Sequence, residues 1–227
     1  SSDPAIAAVD EHGVVSPVGD GEARVTARAP GATAAVTVRV KNAHAPFTWS
    51  FRNHVIPVMT KMGCNQGACH GALAGKNGFK LTLRGYDPDV DYDTLTRSSV
   101  GRRVSLADPE ASLILAKPVF AIPHGGGKRF GKDSLEYRVI REWIAAGAPP
   151  PAAEDVQIRG LEVFPAAAVL AAGAEQQLAV RAQYSDGHTE DVTRWVKFST
   201  SNEGVATVDE WGRVKMNGSG EAAITLY

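Results

Sequence analysis

Residues 1–27 and 200–226 are two copies of one stretch, and this internal repeat limits the fold more than any other feature of the chain. SSDPAIAAVDEHGVVSPVGDGEARVTA aligns without a gap on TSNEGVATVDEWGRVKMNGSGEAAITL, with twelve identities in 27 positions. In both copies apolar residues alternate with polar ones, as in Ala23, Val25 and Ala27 or Ala222, Ile224 and Leu226, and glycines separate the runs. A period of two with glycine turns predicts short strands of a β-sandwich. Placing one β-module at each end leaves room between them for a separate domain, so the chain is expected to be multidomain.

The two copies are cut differently. The first runs on into AAVTVRVKN, a last strand, and closes near residue 42. The second begins earlier, with LEVFPAAAVLAAGAEQQLAV, and reaches Tyr227 before an equivalent strand. Residues 1–42 and 157–227 are therefore expected to be partial all-β sandwiches from a longer tandem protein. Incomplete sandwiches present open strand edges, which suit self-assembly.

Charge gives little direction. The 24 basic and 25 acidic residues nearly cancel, leaving −1, so no overall field attracts nucleic acid or an acidic membrane. No apolar run is long enough for a membrane span, and SSDPAIAAVDEHG lacks the pattern of a signal peptide. Two cysteines in one short loop are too few to staple a chain of this length, and they suggest a local covalent task.

Between the repeats, over 46–150, the texture changes. DSLEYRVIREWIAAGAP, 133–149, predicts a helix with Asp133 as cap, Leu135, Val139, Ile140, Trp143 and Ile144 as its apolar stripe, and Gly147 and Pro149 as its stop. A second helical pattern runs through Phe51, Val55, Val58, Met59 and Met62, with Pro57 in its first turn or at a kink. From Gly71 to Gly127 the abundance of glycine, proline and aspartate predicts mostly loop, organised around something that supplies the missing core.

The first helix leads into GCNQGACHG, 63–71, which holds Cys64, Cys69 and, next to the second, His70. Two thiols that add across two vinyl groups, followed at once by an imidazole beneath the ring, make a covalent haem site. The four residues between the thiols form a longer arc than the usual two, and Gly67 and Ala68 are small enough to let it bulge. The same loop also suits a Cys64–Cys69 disulfide, a zinc site completed by His70 and His124, or a redox dithiol. Spacing alone leaves these open.

The middle segment resembles the planctomycete-type cytochrome c domain over nearly its whole length. The likeness lies in GCNQGACHG (63–71), GKNGFKLTLRGYDPDVDY (75–92), GRRV (101–104), DPEASLIL (108–115), PHGGGKRF (123–130) and REWIAAGAP (141–149). The flanking repeats resemble bacterial Ig-like domains of group 2 through Ser201, Val205, Ala206, Val208, Asp209, Gly212 and Val214. The resemblance implies an all-α cytochrome c-like domain between two partial Ig-like sandwiches. It implies one covalently attached haem c, with Cys64 and Cys69 as thioethers and His70 as the proximal iron ligand.

Relatives carry a Met-Pro loop before the last helix as the second ligand, whereas this chain has Ile122, Pro123 and His124 there and no methionine between Met62 and Met216. His124 is therefore expected as the distal ligand, with His54 the main rival. Arg84, Arg102, Arg103, Lys128 and Arg129 are candidates to meet the haem propionates. The function implied is electron transfer with an unknown redox partner, not enzymatic catalysis, in the periplasm or at the cell surface, with the β-domains as spacers or tethers. Two other functions compete: a structural or adhesive surface protein with a disulfide loop, and a haem peroxidase or sensor with an open iron position.

Overall fold

The computed structural model describes residues 1–227, which divide into two compact units, Ser1–Phe47 and Thr48–Tyr227. The first unit is all β. Strands β1 (Ala7–Val9) and β2 (Val15–Pro17) pair antiparallel, as do β3 (Gly21–Ala29) and β4 (Ala32–Val40). Only Ala7, Ala23 and Val40 are buried apolar residues here, and most of β4 is exposed.

The second unit opens helical. A π-helical turn over Phe51–Val55 feeds α1 (Ile56–Lys61), with Pro57 in the first turn of α1, just after the change from π to α winding. Next come α2 (Pro88–Thr96), α3 (Leu113–Ala116) and α4 (Leu135–Ala145). Their common core holds Phe51, Val55, Val58 and Met59 from the first segment and Val139, Ile140, Trp143 and Ile144 from α4. The expected stripes are thus the buried ones, with Leu135 and Met62 at the margins.

One local expectation changes: the cap of α4 is Ser134, whose Oγ accepts from Tyr137 N at 3.2 Å, not Asp133. The stretch from Gly71 to Gly127 is mostly loop, as expected, but short helices interrupt it. Asp87 caps α2 through Val90 N at 3.1 Å, with Pro88 at its first turn. Asp108 and Pro109 likewise open a short 3₁₀ turn at Pro109–Ala111. Asp-Pro twice over is a helix-start signal that composition hides.

The C-terminal part is β-rich again. One sheet orders β5 (Ile158–Phe164), β7 (Ala179–Tyr184) and β8 (Thr189–Asp191). Another orders β10 (Ala206–Val208), β11 (Arg213–Met216) and β6 (Glu175–Gln177), while β9 (Phe198–Thr200) pairs with β12 (Ile224–Leu226).

The sequence repeat is a repeat of hydrogen bonds. Asp10 Oδ1 accepts from His12 N at 2.9 Å and Val14 N at 2.9 Å, and Asp209 Oδ1 accepts from Trp211 N at 2.9 Å and Arg213 N at 2.8 Å. Gly21 and Gly220 take the same place in the two copies, with φ of +147° and +139°. A Cβ there would lie 2.7 Å from the Ile6 side chain or 2.9 Å from that of Val205, so the backbone must come that close.

Candidate functional site

The cysteine loop is built by the end of α1. Cys64 N donates to Met59 O at 2.8 Å, and the chain leaves the helix at Gly63 with φ +77°. Asn65, fully buried, donates from Nδ2 to Thr60 Oγ1 at 2.8 Å, and that hydroxyl donates to Ile56 O at 3.0 Å. The four residues between the cysteines are taken up in turns: Cys69 N donates to Gln66 O and His70 N to Cys64 O, both at 2.9 Å. Gly71 lies so close to the Asn65 carbonyl that any Cβ would collide with it. Asn65 and Gly71 therefore fix the loop, and sequence reasoning passed over both as filler.

The loop opens onto a cavity of ≈ 660 Å³, lined by Cys64, Cys69, His70 and His124 together. That volume falls within the roughly 300–1,000 Å³ of small-molecule and cofactor sites. Its wall is largely apolar, with Val58, Met59, Leu81, Ile114, Phe130 and Ile140. The charged side chains on it are Lys76, Arg102, Arg103, Lys117 and Arg129, with no aspartate or glutamate among them. A pocket of this kind matches a large apolar molecule bearing negative charge.

The two histidines are held alike. His70 Nδ1 lies 3.0 Å from Phe79 O, and His124 Nδ1 lies 2.9 Å from Gly127 O. A carbonyl only accepts, so each Nδ1 carries a proton and Nε2 is the ring nitrogen left to bind a metal. This is the arrangement in which a second hydrogen bond orients a metal-binding imidazole. Burial holds the His70 imidazolium below its ordinary value, and His124, Arg103 and Arg129 push the same way.

The rings are nearly parallel, at 9°, with centres 6.4 Å apart. Two imidazoles bound at about 2.0 Å to one ion between them would have centres about 6 Å apart. The spacing of the ring centres is close to that value. No three His, Cys, Asp or Glu side chains form a group that could hold a metal ion.

Cys64 and Cys69 are not bonded to each other. Burial pushes the Cys64 thiol up to about 11, and Arg129 partly offsets this. Arg129 Nη2 is also 3.6 Å from Cys69 Sγ.

Of the five expected propionate contacts, Arg102, Arg103 and Arg129 line the cavity, while Arg84 and Lys128 do not. Arg103 is committed elsewhere, donating to Thr94 O at 2.8 Å, Ser98 O at 3.1 Å and Gly78 O at 2.9 Å. Arg84 instead sits over the Tyr227 ring, 3.6 Å from its centre. Lys76, which lies in the 75–92 block, and Lys117 also line the cavity, although neither was among the expected contacts. His54 lies outside the cavity lining, its ring edge-on to Trp49 at 5.1 Å and to Trp195 at 5.6 Å.

No helix is long and apolar enough to cross a membrane. No curated protein matches the chain. The family model of the bacterial Ig-like domain (group 2) matches residues 158–227, and the β-rich region at the C-terminal end is such a domain.

Proposed function

We propose that this chain is an extracytoplasmic electron-transfer protein that carries one covalently attached haem c, with His70 and His124 as its axial ligands. The observation that carries this reading is the pair of near-parallel imidazoles 6.4 Å apart, each pinned through Nδ1 to a carbonyl. Haem held there supplies a one-electron iron couple.

The chain's own residues do the rest. Cys64 and Cys69 would hold the haem as thioethers, the apolar wall would exclude water, and Arg102 and Arg129 would receive its carboxylates. If His70 and His124 both held the iron, oxygen and peroxide would find no place on it, which favours transfer over peroxidase or sensor chemistry. Two imidazoles also give a lower potential than an imidazole with a thioether. Haem attachment of this type takes place outside the cytoplasm, which places the protein in the periplasm or at the cell surface.

The reduced pyridine derivative of the purified chain is expected to show a c-type spectrum. His124→Ala is expected to keep the covalent haem, lose the low-spin spectrum and bind carbon monoxide when reduced, which the wild type does not. A wild-type intact mass without one added haem overturns the proposal in favour of a disulfide-closed surface protein. An unchanged low-spin spectrum in His124→Ala overturns the distal assignment.

A further inference from the structure

The helical segment and the C-terminal Ig-like domain meet along the path that leads to the cysteine loop. Before α1, Asn53 Nδ2 donates to Val156 O at 3.0 Å, and Trp195 packs edge-on against Trp49, ring centres 6.2 Å apart. At the end of α1, Lys61 Nζ donates to Arg194 O at 2.5 Å. At the loop itself, Lys197 Nζ lies 3.4 Å from the position a Cβ on Gly63 would take. Beyond it, Arg84 stacks on Tyr227.

Lys197 is partly buried and makes no ion pair with an aspartate or glutamate; the groups in its electrostatic reach are Arg129, the thiols of Cys64 and Cys69, and Tyr227. A half-buried ammonium without a counter-charge costs free energy. The position beside the cysteine loop is a place where such a charge has a use.

We propose that the Ig-like domain is more than a spacer: although it lines none of the cavity, it flanks the cysteine loop at Gly63 and brings Lys197 there, a positioning charge that raises the reduction potential of the haem held at this loop. This rests on the haem reading above. A fixed cation favours whichever oxidation state carries less positive charge.

The test is a redox titration of the haem-loaded full chain. Lys197→Gln is expected to shift the ferrous-to-ferric ratio at fixed potential about threefold towards ferric, a midpoint drop of about 30 mV for one electron. Lys197→Met, as a second neutral variant, is expected to do the same, and Lys197→Arg to stay with the wild type. Lys215→Gln, which removes an exposed charge on β11, is expected to change nothing. Midpoints for both neutral Lys197 variants equal to the wild type overturn the inference while leaving the haem reading intact. A shift of the same size in Lys215→Gln also overturns it, since net charge alone would then account for the effect. A wild-type chain without haem removes both.

Discussion

Asp91 is fully buried, and its carboxylate takes hydrogen bonds from Thr82 N at 2.6 Å and Thr82 Oγ1 at 2.8 Å. Burial nevertheless raises its carboxyl above the ordinary value; Thr82 opposes the rise and Asp87 adds to it. The fold therefore favours the neutral form. That contribution is fully present below the unfolded value of about 3.9 and is lost as pH rises through the raised folded one. Compared with Asp91→Asn, which cannot ionise, the wild type should do best near pH 4 and lose ground towards pH 7, as melting temperatures across that range would show. Asp91→Ala leaves Thr82 N–H unpartnered and should cost about 1–3 kcal/mol by urea titration. Gly71→Ala drives a methyl into the Asn65 carbonyl and should cost about 1–3 kcal/mol by the same urea titration. Neither Asn65 nor Asp91 stands out in the sequence, because what each does depends on partners that local pattern does not name.

Among the elements, α4 shows how far local pattern carries. Its stripe was legible because Val139, Ile140, Trp143 and Ile144 recur at helical spacing, and all four are buried. Its cap was not, since Asp133 and Ser134 are both good caps and one residue of phase decides between them. Ser134→Ala should cost about 0.5–2 kcal/mol, while Asp133→Ala should stay within about 0.5 kcal/mol in the same denaturation experiment. α2 escaped notice for a different reason. Its sequence, PDVDYDTLT, offers Leu95 as its one buried apolar residue, so no stripe betrays it, and only the Asp87-Pro88 start signal does. The β hairpins of the two repeats were the most legible elements, because turn residues such as Asp10 and Asp209 write the hydrogen bonds directly into the sequence.

At the scale of the molecule, Thr48–Tyr227 is one compact unit, although its sequence reads as a helical domain followed by a separate β-module. What joins them is side-chain packing between distant segments, Trp195 on Trp49 above all, and no pattern within either segment encodes it. Calorimetry should therefore record one transition for this unit in the full chain, and Trp195→Ala should lower its stability by roughly 1.5–3 kcal/mol or split the transition in two. Similarly, the sequence brought Cys64, Cys69, His70 and His124 to one candidate site, but the carbonyls of Phe79 and Gly127 that orient the rings belong to backbone, which no motif displays. The place of Lys197 beside the cysteine loop also has a bearing on how the chain assembles. A chain is made from its N-terminal end, so the loop at Gly63 emerges well before the β-segment that carries Lys197. During that interval both thiols are open to reagents, and docking of the β-segment then narrows the approach to them.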